Sequence, residues 1–415
     1  MKKIELLAPA GSIEKLKYAC SYGADAVYLG MPDFSLRARI NKFSEKSLKE
    51  AVEYAHSKKK KAYVTLNIYA HNRHIPMIEK HLKFLRTLKV DGIIVSDPGI
   101  IDLVKKYLPR VDIHLSTQAN ATNWQAVKFW RDLGVKRVIL AREVTLEEIK
   151  EIGKKVPNIE LEYFVHGAMC MSYSGRCILS KWMTGRGANL GDCSQPCRWP
   201  YQRLGIGEIR EIRVVDDKGR YPMDIEEDKH GTYFFNSYDM NLIEHVKDLI
   251  DAGVTSLKIE GRAKSVYYVA VVTRAYRKVI DAMNNKNYKK IISEQKKELD
   301  KLTNRGYSKG FLLGAEPPHD FSDRMRKADF GFVGEIMGEK NGMNIIRAHN
   351  ALYAKDKIET ITPSRNIKIS IKEMKNKEGE QVAEAHGGTD KIFYIKFDKM
   401  LSEYDIIRKL TNKSK

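Results

Sequence analysis

Residues 61–95 read KAYVTLNIYAHNRHIPMIEKHLKFLRTLKVDGIIV, and this stretch decides the fold. Ala62–Leu66 is a short apolar run of strand-forming residues. Met77–Leu88 then repeats its apolar residues at helical spacing, with Ile78, Leu82 and Leu85 on one face. Ile93–Val95 is a second short apolar run, entered through Asp91 and Gly92. A strand, a helix and a strand joined this closely make a βαβ unit, whose two strands pair in parallel.

The same alternation extends in both directions. Ile4–Leu7, Ala26–Leu29, Ile113–Leu115, Val138–Leu140, Leu161–Val165 and Leu257–Ile259 read as further strands. Ile13–Ser21, Ser44–Ser57, Ile100–Tyr107, Trp124–Leu133, Leu146–Lys154 and Met240–Ala252 read as helices between them. Several strands are apolar throughout, as expected when both faces are covered. Eight such units predict an α/β fold of the TIM-like (β/α)8 barrel type rather than an open sheet. Strands seven and eight are separated by roughly 90 residues, far beyond an ordinary βα loop. A cysteine-rich insertion, 167–235, is therefore expected over the C-terminal face of the barrel, where barrel enzymes keep their chemistry. It includes a polar stretch, 205–231, with turns such as Asp217-Lys218-Gly219.

A basic helical region, Val266–Leu302, follows the eighth unit. Beyond it come short alternating runs at Gly331–Ile336, Asn344–Ala348, Lys368–Ile371 and Lys391–Ile395. The expected organisation is a barrel domain over 1–325 and a small all-β, barrel-like domain over 326–415.

Lys plus Arg number 73 against 53 Asp plus Glu, a net charge of +20. Such a surface favours a polyanionic partner, because phosphates bind it and release counterions; lysine used only for solubility is the plainer reading. The run Lys58–Lys61 reads as a solvated helix end. No apolar run is long enough to span a membrane, and the first residues meet Pro9 and Gly11 too early for a signal-peptide core. The expectation is a cytoplasmic protein with reduced thiols.

Of five cysteines, four fall close together as Cys170-x6-Cys177-x15-Cys193-x3-Cys197. In a reducing compartment this spacing points to metal. The wide first pair is unlike a zinc knuckle, and four thiolates suit a 4Fe–4S cluster equally well, so zinc and cluster stand near even on chemistry alone. Cys20, on the apolar face of the first helix, reads as packing.

The segment Glu162-Tyr163-Phe164-Val165-His166-Gly167-Ala168-Met169-Cys170, followed by Gly175-Arg176-Cys177-Ile178-Leu179-Ser180, resembles the signature of the peptidase U32 family, the collagenase-like proteins. Further matches are Leu7-Ala8-Pro9-Ala10-Gly11, Asp25–Gly30, Ser116-Thr117-Gln118, Asn236-Ser237-Tyr238-Asp239, Lys258-Ile259-Glu260-Gly261-Arg262 and Asn304-Arg305-Gly306-Tyr307. The resemblance implies oxygen-independent hydroxylation with a 4Fe–4S cluster held by Cys170, Cys177, Cys193 and Cys197. Among the branches it suggests, the ending Cys193-Ser194-Gln195-Pro196-Cys197-Arg198-Trp199 looks most like the one that forms 5-hydroxyuridine at the tRNA wobble position from prephenate. Hydroxylation of ribosomal RNA, hydroxylation of a quinone, and a U32-type peptidase are the alternatives. The positive charge argues against the quinone.

Position at strand ends nominates the site residues. His166 stands beside Cys170 as a candidate base, against the plainer role of a hydrogen-bonded core histidine. Glu260 and Arg262 end the eighth strand, as a proton carrier and a fork for a carboxylate of prephenate, or simply as an ion pair. Arg142 and Glu143 follow the sixth strand, and Arg37 and Arg39 the second. Trp182, Trp199 and Tyr201 flank the cysteines, as packing or as a stacking surface for a flipped base. A peptidase would need a nucleophile, a base and an orienting acid, and neither GxSxG nor HExxH occurs.

Overall fold

The computed structural model describes residues 3–32, 34–35, 43–170, 172–199, 201–204, 211–216, 223–228, 231–232, 238–315, 329–388 and 391–411. Arg37, Arg39, Asn236, Ser237 and the Asp217-Lys218-Gly219 turn lie outside them. The chain divides into two compact units. One comprises Met1–Leu16, Asp25–Ala263 and Arg305–Met325, the other Lys17–Ala24, Lys264–Asn304 and Arg326–Lys415.

The first unit holds a closed barrel of eight parallel strands: β1 (Glu5–Ala10), β2 (Ala26–Gly30), β3 (Lys61–Leu66), β4 (Gly92–Val95), β5 (Asp112–Leu115), β6 (Arg137–Ile139), β7 (Glu160–Ala168) and β8 (Val254–Ile259). Each pairs with the next, and β8 closes the ring by pairing with both β1 and β7. The strands are buried on both faces, which is why their sequences are near-continuous apolar runs. The connecting helices start where polar side chains cap them. Ser44, Asp97, Asn123 and Thr145 each accept from the first-turn backbone, and Glu148 reciprocates at Thr145. Among the described residues no helix is long and apolar enough to cross a membrane.

The barrel interior is not wholly apolar. Arg137 Nη1 meets Glu5 Oε1 at 2.5 Å and Glu162 Oε2 at 3.0 Å. Lys258 Nζ meets the other oxygen of Glu162 at 2.7 Å. Ser256 Oγ donates within 3.1 Å to both carboxylates, and Tyr63 Oη donates to Glu5 at 2.6 Å.

Two elements differ from the sequence reading. β7 runs three residues past Val165, and Asp239–Asn241 pairs antiparallel with that extension instead of opening the helix expected over Met240–Ala252. The helix is shortened to Val246–Asp251 because the projecting end of β7 needs a backbone partner. Residues 167–168 of the expected insertion thus belong to β7. The insertion itself contains the helix Leu179–Thr184 and a four-stranded antiparallel sheet of 201–204, 211–216, 223–228 and 231–232.

In the second unit, the helical region expected over Val266–Leu302 consists of two helices, Val266–Asp281 and Tyr288–Leu299. Its seven-stranded antiparallel sheet exceeds the four strands expected: Ile358–Ile361 and Ile406–Leu410 are added, and the run expected as one strand over Lys368–Ile371 falls across the break between Asn366–Ile369 and Ile371–Lys375. The outermost strands of that sheet, Asn366–Ile369 and Ile371–Lys375, are joined through Ser370 alone, so the sheet must curl back on itself.

Arg408 explains why its strand was overlooked: a charged residue breaks the apolar alternation, yet it has no exposed side-chain surface. Its guanidinium meets Glu298 at 2.7 Å, Glu359 at 2.5 Å and Tyr267 Oη at 3.2 Å. Burial alone would raise the pKa of Glu298, but the hydrogen bonds and charge of Arg408, then Lys301, outweigh it and bring the value to about 2. A carboxylate depressed on folding contributes stability that is present above its unfolded pKa and lost as pH falls through the folded one. Glu298→Gln is therefore expected to cost about 3–5 kcal/mol at pH 7, by leaving Arg408 with Glu359 as its one carboxylate partner and Arg274 with neutral partners. In urea unfolding, the gap from wild type should narrow as pH falls from 4.5 toward 2. A gap independent of pH would show that the ionised pair is not the cause.

Candidate active site

At the C-terminal ends of the strands lies a cavity that opens to solvent. All four clustered cysteines line it, together with Arg142, Glu260 and Arg262. The structure therefore brings the four cysteines, Arg142, Glu260 and Arg262 to one place. His166 stands apart from them. It is buried, its ring packs at 5.4 Å against Tyr307, and it does not line the cavity.

The floor follows from strand alternation. Phe164 lies two residues beyond Glu162 on β7 and Lys258 two beyond Ser256 on β8, so each faces inward above the buried ion network. Lys258 Nζ sits 4.6 Å from the Tyr28 ring centre and 5.4 Å from that of Phe164. Burial pulls its pKa below the ordinary lysine value, with the charge of Glu162 opposing. Arg262 donates to Thr65 Oγ1 at 3.1 Å, and Tyr28 Oη lies 3.3 Å from Glu260 Oε2. Glu260 and Arg262 are thus held by different neighbours. The loop after β8 comes so close to β1 that a Cβ on Gly11 would stand 2.1 Å from the Arg262 carbonyl oxygen, which accounts for the glycine in Leu7-Ala8-Pro9-Ala10-Gly11. Arg142 lays its guanidinium 3.8 Å from the centre of the Phe164 ring, and its Nε is buried without a hydrogen-bond partner.

The cysteine loops are stitched to the barrel. Glu143 accepts from Ser174 N at 2.9 Å and Ser174 Oγ at 3.2 Å, so its role is to hold the Cys170–Cys177 loop. Gly175 lies against the backbone of Gln118, where a Cβ would stand 2.2 Å from the carbonyl oxygen. Tyr69 N donates to Asn189 O at 2.8 Å, and the Tyr69 hydroxyl donates to the carbonyl of Gly175. Ser194 N donates to Ser180 Oγ at 2.9 Å, and Trp199 Nε1 to Ser194 O at 3.2 Å, so Trp199 braces the second cysteine pair. Tyr173, Ile178 and Trp182 remain exposed beside these loops.

The donor set suits a thiolate-bound metal group. Cys177 and Cys170 share a hydrogen bond that lowers the pKa of Cys177, helped by Ser172 and the backbone N–H groups of Leu179 and Ser180, to about 5. The same bond holds Cys170 above the ordinary thiol value. Gln195 N points at Cys193 Sγ from 3.4 Å. Backbone N–H groups aimed at sulfur are what a bound thiolate needs. In the present side-chain positions no three His, Cys, Asp or Glu side chains among the described residues close on a single point. Cys20 is buried in its helix.

Sequence reasoning missed Gln118 and Lys258 as site residues, quoting both only within family motifs. Lys258 did leave a signal: a lysine inside the apolar run Leu257-Lys258-Ile259, met diagonally by Glu162, which stands opposite Ser256 on β7, marks a charged pair inside a barrel.

Comparison with known proteins gives concordant results. Residues 11–321 match the family model described as peptidase family U32, and residues 328–408 its C-terminal domain. A tRNA hydroxylation protein P of Haemophilus influenzae is 41% identical over 99% of this chain and 97% of its own length. A 23S rRNA 5-hydroxycytidine synthase of Escherichia coli is 34% identical over 81% of this chain but only 48% of its own. A collagenase of Porphyromonas gingivalis is 30% identical over 89% and 95%.

If the four thiols act as one ligand set, alanine at Cys170, Cys177, Cys193 or Cys197 should each abolish or degrade metal binding in anaerobically purified protein, and Cys20→Ala should not. Metal analysis of the five variants checks this. Equal metal content in all of them would separate the thiols from the metal.

Proposed function

The chain belongs to peptidase family U32, and from that membership we propose that it is an RNA-hydroxylating enzyme that forms 5-hydroxyuridine at the tRNA wobble position. Prephenate is the cosubstrate: it supplies the oxygen atom and is itself reduced by two electrons as the uracil C5–H becomes C5–OH, so molecular oxygen is not consumed. The observation that carries the reading is the cavity itself, which is lined by four thiols together with three cations, Arg142, Lys258 and Arg262, and one carboxylate, Glu260. A lining with three cations favours an anionic small molecule, since burying a carboxylate without a partner is costly. The near-full-length likeness to tRNA hydroxylation protein P supports RNA as the other substrate, as does the net charge of +20. The rRNA alternative is weaker, because its relative carries as much sequence again beyond the part this chain matches.

A peptidase is disfavoured by the site. Among the described residues no histidine lines this cavity, His166 is packed against Tyr307 outside the lining, and His71, which shares a neighbouring pocket with Cys177, stands in edge contact with the His74 ring. Cys177, though depressed to about 5, shares its hydrogen bond with Cys170 within a set of four thiols, the arrangement of ligands rather than of one nucleophile paired with a base.

Cys170, Cys177, Cys193 and Cys197 would hold a 4Fe–4S cluster, which supplies electron transfer or a Lewis-acidic iron beside the substrate. The chain's own residues do the rest. Arg262, fixed by Thr65, presents its guanidinium fork to one carboxylate of the cosubstrate. Arg142, held flat on Phe164, is placed for the other. Glu260, beside the Tyr28 hydroxyl, can take or return a proton. The exposed Tyr173, Ile178 and Trp182 offer stacking surface to an RNA loop.

Nucleoside mass spectrometry of tRNA and rRNA from a deletion strain tests the reading. Loss of 5-hydroxyuridine from tRNA is expected, restored by the wild-type chain and not by Cys170→Ala. Arg262→Lys keeps the charge but not the fork, so it should restore little modification while cluster content and tRNA affinity stay near wild type. An unaltered tRNA nucleoside profile, or a loss confined to 23S rRNA, would contradict the assignment.

A further inference from the structure

Gln118 sits in a short 3₁₀ turn, Thr117–Ala119, directly after β5. Its backbone is fixed from two sides. Its N–H points to Ser116 Oγ at 3.4 Å, an oxygen that also accepts from Asn67 Nδ2 at 3.2 Å, and Gly175 of the cysteine loop lies against its carbonyl. The side chain is more than nine-tenths buried and lines the cavity. Among the described residues neither Oε1 nor Nε2 has a hydrogen-bond partner.

Buried polar side chains are almost always paired, so an amide left with both ends open calls for a ligand. A primary amide offers a donor and an acceptor side by side in one plane. A carboxylate answers only the donor and would leave Oε1 unpaired in the dry wall. The imide edge of uracil, an N3–H next to a carbonyl, answers both at once. Turning the amide over exchanges its two ends without changing the match. The neighbouring Arg142 Nε, a donor only, is the complementary case and fits an anion.

We propose that Gln118 reads the imide edge of a uridine turned out of its RNA stack into this cavity, through two paired hydrogen bonds. The inference rests on the RNA-hydroxylation reading and deepens it by naming the residue that recognises the base. Enzymes that act on a base do extrude it and read its hydrogen-bonding edge, and glutamine makes such paired contacts with bases.

The test uses the full-length, cluster-loaded protein and an anticodon stem-loop with 2-aminopurine next to the target uridine, whose fluorescence rises when the target leaves the stack. Gln118→Met fills the same space without hydrogen bonds. It should lower kcat/KM for the RNA by about 10- to 100-fold and abolish the fluorescence rise. RNA affinity, set chiefly by phosphate contacts, should change by less than about threefold, and KM for prephenate and cluster content should not move. Wild-type protein given a stem-loop with N3-methyluridine at the target, which needs no variant to fold, should likewise show neither the rise nor product. Wild-type rates and fluorescence in Gln118→Met, normal turnover of the N3-methylated loop, or a raised KM for prephenate with the fluorescence rise intact would each overturn the inference. A wild-type protein that leaves every uridine unmodified would instead sink the hydroxylation reading beneath it.

Discussion

Glu162 is a carboxylate with no exposed surface inside a parallel barrel, and its two oxygens bridge Arg137 and Lys258. Removing a charge from water is expensive, and the cost is offset only when each oxygen is paired at good geometry. The pairing therefore constrains the strands that carry it. Arg137 comes from β6, Glu162 from β7 and Lys258 from β8, and a slip of one residue in any of them would turn its charge out of the barrel. Fixing Lys258 fixes β8, and with it Glu260 and Arg262 at the strand's end. Breaking one such contact would cost about 3–5 kcal/mol, a large share of what a domain has to spare.

The same network sets the character of the cavity above it. The carboxylates of Glu5 and Glu162 are engaged below the floor, while Arg142 and Arg262 project at the rim. What reaches the cavity is mainly positive charge on rigid strand ends, facing thiols carried on loops. Rigid cations suit a small anion. The loops are tied down by Glu143 and Tyr69, which hold the sulfurs over the strand ends.

Most of the barrel was legible because parallel strands covered on both faces leave an unmistakable alternation of short apolar runs and amphipathic helices. The cysteine set was legible for a different reason: thiols are rare, and their spacing carries chemistry. What escaped depends on contacts distant in sequence. Asp239–Asn241 is a strand only because β7 overshoots the barrel. Ile406–Leu410 is a buried strand only because Glu298 and Glu359 neutralise Arg408. His166 shows the converse. Adjacency to Cys170 suggested catalysis, but a bulge in the pairing of β7 with β8 at this point accompanies a ring packed on Tyr307. Gln118 carries no signal of its own in one sequence, since nothing in the letters says that an amide will be buried with both ends open.

The central claim is that this cavity hydroxylates RNA. The most direct measurement is mass analysis of an unmodified tRNA transcript incubated with the purified, cluster-loaded protein and prephenate under strict exclusion of oxygen. The account predicts an added oxygen on a single anticodon-loop uridine, dependent on prephenate. A transcript of unchanged mass, together with cleavage of a collagen-like peptide by the same preparation, would contradict it.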